Sequence, residues 1–303
     1  MSRSEPVRWH ENQALFREAV AFTSARTGFT PRLVEKDYYC TLLLQHLTEK
    51  VPGLVFKGGT CLAKVHAQFY RLSEDLDFTI HTPLKSARSG RSRLAAPAKD
   101  AVVKLGERLS GLRVLQNLTG SNNSTQYQAC VGYPSLFSDQ QESIKIEVGL
   151  REPLLTSKVR AQAHTLLLNP MVNAPMVPAI QVSCLSREEA MAEKLRAALT
   201  RREAAIRDFY DVDHAVRRLG LRVRAPELVG LVRKKLAVPG TGPVDVSAAR
   251  LATLRPQLGP QLRAVLRDRD MAEFDLERAW AAVGEAAAAL AAEALEKIRA
   301  EER

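Results

Sequence analysis

Cysteine is scarce in this chain, and the few cysteines are scattered. The four of 303 residues, Cys40, Cys61, Cys130 and Cys184, show neither a CxxC pair nor a Cys/His pair at the spacing of a zinc site. The pattern argues against a disulfide framework and against a zinc site. It predicts reduced, mostly buried thiols.

Long apolar runs are missing as well. No stretch approaches the length that spans a bilayer, and the N-terminal MSRSEPVRWHENQ lacks the apolar core of a secretion signal. We therefore expect a cytoplasmic protein with no membrane segment. A hydrophobic content of 46% with 26% charged residues is typical of globular proteins, and the length suits one large domain or two ordinary ones.

Acidic residues are fewer than basic residues in this chain. The chain has 44 Lys and Arg against 34 Asp and Glu, a net charge of +10 and a pI of about 9.6. This excess favours an anionic partner such as nucleic acid, because phosphate groups attract it. The alternative is that the charge serves solubility alone.

The stretch from Leu54 to Ile80, LVFKGGTCLAKVHAQFYRLSEDLDFTI, carries the most chemical information. Its last six residues alternate as a strand, which puts Asp75 and Asp77 on the face opposite the apolar side chains. Two carboxylates about 6 to 7 Å apart on one strand suit a divalent metal such as Mg²⁺, which prefers oxygen ligands and leaves room for substrate phosphates.

The glycine pair in the same stretch predicts a phosphate-binding turn. Gly58 and Gly59 let the backbone approach an anion closely, and Thr60 suits the N-cap of a helix with apolar positions Leu62, Val65 and Phe69. The sequence therefore places an anion-binding turn close to the two aspartates.

A second strand repeats the alternation. In Ile144–Val148, Lys145 and Glu147 share one face, so Glu147 can join Asp75 and Asp77 if the two strands are neighbours. Solvent-facing alternation of Glu and Lys is the equally weighted alternative. Asp139 and Glu142 are weaker candidates for the same role.

Several other segments have ordinary interpretations. The triplet Glu35-Lys36-Asp37 fits the solvated face of an amphipathic helix. The basic stretch after Ile80 fits either a mobile loop that holds RNA or a plain surface loop, followed by a helix from about Ala98.

Beyond these segments, helices dominate the sequence. Ser186 predicts the N-cap of a helix that carries Lys194 and breaks near Thr200, and Arg207 and Asp211 have the spacing of a helix ion pair. The chain beyond Asp213 is almost entirely helical, and its last part, Met271–Arg303, predicts one long helix.

The glycine pair, the helix and the Asp-x-Asp strand together resemble the active-site signature of the polymerase-beta-like nucleotidyltransferase superfamily. The fuller string, GGTxL followed by RLSEDLDF from Arg71, is similar to a narrower group, the AbiEii/AbiGii-type toxins, which include the MenT-like toxins of bacterial toxin–antitoxin operons. The EKDY segment at Glu35 and the segment from Glu188 to Asp211 also resemble these toxins. The likeness spans roughly residues 33–214.

The resemblance implies an α+β fold, with a nucleotidyltransferase-like mixed β-sheet core flanked by helices and a mostly helical C-terminal domain. It implies N-terminal helices plus core over 1–184 and a helical domain over 185–303 that completes the active-site cleft. The implied ligands of Mg²⁺ or Mn²⁺ are Asp75, Asp77 and Glu147. The implied catalytic residues are Asp75, Asp77, Lys194 and Asp211, and the implied nucleotide-binding residues are Lys57, Gly58, Gly59, Thr60, Arg71, Ser73 and Asp208.

The implied activity is transfer of a nucleotide from an NTP, CTP or UTP being favoured, to the 3′ end of tRNA, which blocks aminoacylation and translation. The alternatives are transfer to a protein hydroxyl or a small molecule, and a non-catalytic RNA- or partner-binding module of the same fold. An antitoxin, AbiEi-like or other, is the implied partner. It could act by binding, by repression or by phosphorylation of Ser73.

Overall fold

A computed structural model describes residues 8–301. The first seven residues of the N-terminal MSRSEPVRWHENQ, and the last two residues of the final helix predicted from the sequence, lie outside the described residues. The chain divides into two compact units, one that ends at Leu185 and one that begins at Ser186. The helices of the first unit are α1 (Gln13–Thr27), α2 (Pro31–Lys50), α3 (Gly58–Cys61) and α4 (Arg88–Val103). Its strands are β1 (Leu54–Lys57), β2 (Asp75–Ile80), β3 (Arg113–Ser121), β4 (Gln126–Tyr133), β5 (Glu142–Gly149), β6 (Val159–Ala163) and β7 (Ile180–Cys184).

The strands form one mixed seven-stranded sheet in the order β3-β4-β5-β2-β1-β7-β6. β2 runs antiparallel to β1 and parallel to β5, so it lies near the middle of the sheet. Leu76 and Phe78 of β2 and Ile146 of β5 are fully buried. The mixed sheet with flanking helices confirms the predicted fold class, and the alternation puts the apolar side chains into the core.

The prediction that Glu35, Lys36 and Asp37 lie on a solvated helix face is wrong. All three are buried in α2, at 0%, 7% and 5% exposure. Glu35 accepts hydrogen bonds from Leu136 N at 2.7 Å and from Ser135 Oγ. Burial raises the pKa of Glu35 despite these two hydrogen bonds. The partners come from distant parts of the sequence, which is why helix periodicity did not reveal them.

The basic stretch after Ile80 is also more ordered than predicted, because α4 begins at Arg88 instead of near Ala98. Ala95 and Ala98 pack into the core, so small residues that are typical of a loop form the buried face of a helix. Arg91 is buried and donates to the Asn123 carbonyl at 2.8 Å. The interpretation of this stretch as an RNA-holding or surface loop is wrong at Arg91, because its guanidinium group donates hydrogen bonds inside the protein.

Lys64 and Asp37 form a buried ion pair, with Nζ 2.6 Å from Oδ1 and side chains only 1% and 4% exposed. Lys64 also donates to Thr41 Oγ1 at 2.8 Å, and Leu166 N donates to Asp37 Oδ2 at 3.2 Å. We expect Lys64→Met to lower the free energy of unfolding by about 3 to 5 kcal/mol, because it leaves a buried carboxylate without its cation. Urea unfolding measures this loss.

The exposed pair between Lys104 and Asp100, at 2.9 Å, supplies the matched control. Lys104→Met should leave the free energy of unfolding nearly unchanged, because both side chains of this pair are more than half exposed. Equal losses of unfolding free energy in Lys64→Met and Lys104→Met would contradict the prediction that burial makes the Lys64–Asp37 pair the more costly one to break.

The second unit consists of helices: α5 (Arg187–Thr200), α6 (Ile206–Arg218), α7 (Pro226–Leu236), α8 (Ala248–Leu254), α9 (Asp268–Glu273) and α10 (Leu276–Glu301). Ser186 caps α5, accepting from Glu189 N at 3.1 Å, and α5 ends at Thr200, as the sequence predicted. The single helix predicted from Met271 is wrong, because Asp275 caps a new helix by accepting from Arg278 N at 2.9 Å. Within residues 8–301, none of the helices combines the length and apolarity that crossing a membrane requires.

His214 in α6 makes the stability of the second unit dependent on pH. Burial, strengthened by the nearby Arg217, lowers the pKa of His214 to about 4. The unfolded chain therefore takes up this proton near pH 6.5 and the folded chain only near pH 4, so stability is lost as the pH falls through that window.

We expect His214→Gln to remove this dependence. Between pH 7.5 and pH 4.5, the wild-type chain should lose about 2 kcal/mol more unfolding free energy than the variant, after allowance for the partial exposure of the ring. Urea unfolding of both proteins at the two pH values gives the difference. The same pH-dependent loss in both would show that His214 contributes nothing to it.

Candidate active site

The glycine turn follows β1 directly. Lys57 is the last residue of β1 and pairs with Asp77 of β2, and α3 begins at Gly58. The prediction that Thr60 caps the helix is wrong: Thr60 lies inside α3, and its hydroxyl donates to the Asp75 carbonyl. Thr60 therefore ties the glycine turn to the start of the Asp-x-Asp strand.

Both positions of the glycine pair require glycine, because neighbouring side chains lie too close to the backbone for a Cβ atom. Gly58 has a left-handed φ of +75°, and a Cβ there would lie 2.2 Å from Asp77 Oδ2. A Cβ on Gly59 would lie 2.6 Å from Arg71 Nη2 and 3.0 Å from Ser73 Oγ. The glycine backbone thus lies directly against the side chains of Asp77, Arg71 and Ser73.

The three candidate metal ligands lie on adjacent strands. Asp77 pairs with Glu147 across β2 and β5, and Asp75, two residues before Asp77 on the same face of β2, pairs with Lys145. All three candidate carboxylates are on half-buried residues. Glu147 Oε2 lies 3.2 Å from Lys145 Nζ and accepts from Gln128 Nε2 at 3.2 Å. Neighbouring carboxylates beside a turn that only glycine fits make a donor set suited to Mg²⁺ or Mn²⁺.

Arg71 and Ser73 occupy the segment that leads into β2. Arg71 is 2% exposed, its Nη1 donates to the Leu72 carbonyl at 3.1 Å, and its guanidinium lies 5.7 Å from the Tyr70 ring centroid. Ser73 is half-buried against Gly59. These contacts give Arg71 a defined position beside the turn.

An ion-pair network that the sequence analysis missed holds the residue just before Asp75. Glu74 Oε1 lies 3.0 Å from both Arg32 Nη2 and Lys36 Nζ, and Arg32 Nε lies 2.5 Å from Glu142 Oε1. Burial would raise the pKa of Glu74, but the charges of Lys36 and Arg32 lower it overall. Glu142, a weaker metal candidate, is thus engaged by Arg32. Asp139 is exposed.

A separate charged cluster lies in the second unit. Lys194 Nζ of α5 is 3.0 Å from Asp208 Oδ1 and 2.8 Å from Asp211 Oδ2 of α6. Arg201 Nη1 is 3.1 Å from Asp208 Oδ2. Both aspartates are buried, so the cluster depends on these cations. The helix packing thus groups the three residues that the resemblance singled out here.

Comparison with known proteins shows the family to which this chain belongs. The family model described as nucleotidyl transferase AbiEii toxin, type IV TA system, matches residues 42–292. The chain belongs to the AbiEii nucleotidyltransferase toxin family. The match extends well past Asp213, into the helical part in which the sequence showed no motif.

Solved structures share the fold of this AbiEii chain. MenT4, a nucleotidyltransferase toxin from Mycobacterium tuberculosis H37Rv, is 21% identical with a TM-score of 0.56, covering 91% of this chain and 98% of that one. A putative nucleotidyltransferase from Helicobacter pylori is 15% identical with a TM-score of 0.51, covering 89% and 99%. JHP933, also from H. pylori, is 15% identical with a TM-score of 0.50, covering 91% and 100%. A comparison with curated protein sequences gives no match.

Membership in the AbiEii family identifies the protein as a toxin nucleotidyltransferase and implies an antitoxin as its partner. It confirms the family that the GGTxL and Asp-x-Asp motifs predicted. The individual roles predicted for the site residues stay predictions.

Proposed function

We propose that this AbiEii toxin transfers a nucleotide from an NTP, with CTP or UTP favoured, to the 3′ end of tRNA, and so blocks aminoacylation and translation. One observation carries the proposal: Gly58 lies so close to Asp77 that no Cβ fits between them. A turn of this kind brings backbone N–H groups toward the triphosphate beside the carboxylates that hold its metal.

Asp75, Asp77 and Glu147 are proposed to hold Mg²⁺ or Mn²⁺, because hard carboxylate oxygens are the ligands that these ions prefer. When bound, the ions would supply charge neutralisation at the α-phosphate and a lower pKa for the attacking hydroxyl. The protein's own contribution is to fix these carboxylates on the paired strands β2 and β5, where the sheet holds their spacing.

The nucleotide is proposed to bind at the turn. The backbone of Gly58, Gly59 and Thr60 would orient the triphosphate, and Lys57, Arg71 and Ser73 would bind at its edges. Lys194 and Asp211 are assigned to the same reaction, with Asp208 as a further nucleotide contact. A lysine can neutralise phosphate as a point charge, while Asp208 and Asp211 fix its ammonium group.

The net charge of +10 supports an RNA substrate. The proposed regulation by the antitoxin includes phosphorylation of Ser73, because a phosphate on this side chain, which lies against Gly59, would repel the incoming triphosphate. A Ser73→Glu variant that transfers nucleotides as well as wild type would eliminate that mode of regulation.

The test is to supply each NTP separately, with Mg²⁺ and pooled tRNA, and to sequence the tRNA 3′ ends. We expect added pyrimidines with the wild-type protein and none with Asp75→Ala. A parallel incubation with labelled NTPs, purified tRNA and lysate separates the acceptors: label found only in protein or only in a small molecule would overturn the tRNA assignment. RNA binding unchanged by Asp75→Ala, without any incorporation by wild type, would indicate a non-catalytic module.

A further inference from the structure

A cluster of two thiols and one imidazole lies behind the glycine turn. The ligand atoms of Cys61, His66 and Cys184 all lie within 4.8 Å of one another, and Cys184 Sγ is 4.0 Å from His66 Nε2. Both cysteines are fully buried, and His66 is half-buried. Sulfur and imidazole nitrogen at such distances are the ligand types that zinc prefers.

Three fixed backbone segments bring the cluster together. Cys61 ends α3, and His66 ends the single π-helical turn, Leu62–His66, that continues α3. Cys184 is the last residue of β7, where it pairs in parallel with Phe56 of β1. Neither a CxxC nor a zinc-like spacing is present, so only the β1–β7 pairing reveals the cluster and changes the interpretation drawn from the cysteine spacing.

We propose that Cys61, His66 and Cys184 form a binding site for a thiophilic divalent transition metal, with Zn²⁺ as its natural class. Zinc–sulfur bonds of about 2.3 Å and zinc–nitrogen bonds of about 2.0 Å place tetrahedral ligands roughly 3.5 to 3.8 Å apart. The present separations reach that geometry through shifts of about 1 Å or less. Water or another exogenous ligand takes the fourth position.

Metal binding exchanges one contact for another. His66 Nε2 lies 3.1 Å from the Leu185 carbonyl, so the ring gives up this contact when Nε2 becomes a ligand. The cysteines bind as thiolates, so any proton that they carry passes to the buffer as the metal binds. The site is chemically distinct from the carboxylates of β2 and β5, because thiolates do not select Mg²⁺.

The position of Cys61 in α3 links metal binding to the glycine turn of the toxin. Cys61 directly follows Thr60, and α3 carries both glycines of the turn. A metal that joins the end of α3 to the end of β7 fixes the base of the turn. We therefore expect binding to raise the thermal unfolding midpoint, and a chelator to reverse the rise.

Co²⁺ titration of the full-length reduced protein tests the site, because cobalt reports thiolate ligation through a near-ultraviolet charge-transfer band and tetrahedral geometry through intense visible bands. We expect saturation at one equivalent and displacement of Co²⁺ by Zn²⁺. Excess Mg²⁺ should leave the bands unchanged. Cys130→Ser is the matched control and should retain both bands, since Cys130 lies in β4 outside the cluster.

Cys184→Ser should abolish the charge-transfer band or shift it markedly, and His66→Gln should weaken Co²⁺ binding by about tenfold or more. His66 is half-buried, so its variant tests the site even if the buried serine substitution fails to fold. Wild-type protein without a charge-transfer band would overturn the proposal. An unchanged titration in His66→Gln, with circular dichroism showing a folded protein, would overturn it as well.

Discussion

Asp77→Asn should lower nucleotide transfer by about a thousandfold or more. The substitution keeps the size of the side chain but removes the charge that is proposed to hold the metal beside the triphosphate. Metal-assisted charge stabilisation contributes several kcal/mol to such reactions, and each 1.36 kcal/mol corresponds to a tenfold change in rate. Initial rates of label transfer from NTP to tRNA, measured with saturating Mg²⁺, give the factor.

Asp139→Asn is the control for this prediction. Asp139 is exposed in the segment that precedes β5, so the same chemical change at this position should leave the rate within about twofold of wild type. Circular dichroism and urea unfolding should show that both variants fold. Transfer by Asp77→Asn at the rate of Asp139→Asn would remove Asp77 from the chemistry.

Gly58→Ala should lower transfer by about a hundredfold or more, because displacement of reacting groups by about 1 Å has effects of this size. A Cβ at this position would lie 2.2 Å from Asp77 Oδ2 and 2.8 Å from Asp77 Cβ, so either the turn or the carboxylate must move. The positive φ of Gly58 adds backbone strain of about 1 to 3 kcal/mol. The same tRNA-labelling assay measures the loss, and urea unfolding measures the strain.

Gly53→Ala is the matched control, since a Cβ on Gly53 meets nothing within 4 Å. This variant should match wild type in transfer rate. Gly59→Ala should fall between the two, because its Cβ would press on the far end of the flexible Arg71 side chain, 2.6 Å from Nη2. Wild-type activity in Gly58→Ala would contradict the close placement of the turn and Asp77.

The sequence predicted the parts of this site that depend on local pattern. Alternation along β2 placed Asp75 and Asp77 on one face, and the same logic placed Glu147 on β5. The glycine pair indicated a turn at the end of β1. Each of these inferences needs only the two-residue period of a strand or the freedom of glycine, so a short window of sequence suffices.

Contacts between distant segments were beyond such reasoning. Lys36 lies 38 residues from Glu74, and no periodicity indicates that α2 buries its charged residues against the segment before β2. His66 and Cys184 are 118 residues apart and meet only because β7 pairs with β1. Helix geometry does not predict a role for Lys194 and Asp211, and only the resemblance to AbiEii toxins indicates one.

Thr60 illustrates a third case, in which local pattern gave the wrong contact. A threonine after two glycines suits a helix N-cap, yet the helix begins two residues earlier, at Gly58. The Asp75 carbonyl lies close enough to accept from the Thr60 hydroxyl. The Thr60 hydroxyl therefore makes a tertiary hydrogen bond instead of capping a helix.

The most direct test of the proposed active site is a crystal structure of the protein with Mn²⁺ and a non-hydrolysable CTP or UTP analogue, with the metal located by anomalous scattering. We predict anomalous density coordinated by Asp75 and Asp77, and a triphosphate against the backbone of Gly58 and Gly59. Metal and triphosphate bound together at another part of the protein, away from β2, would contradict it.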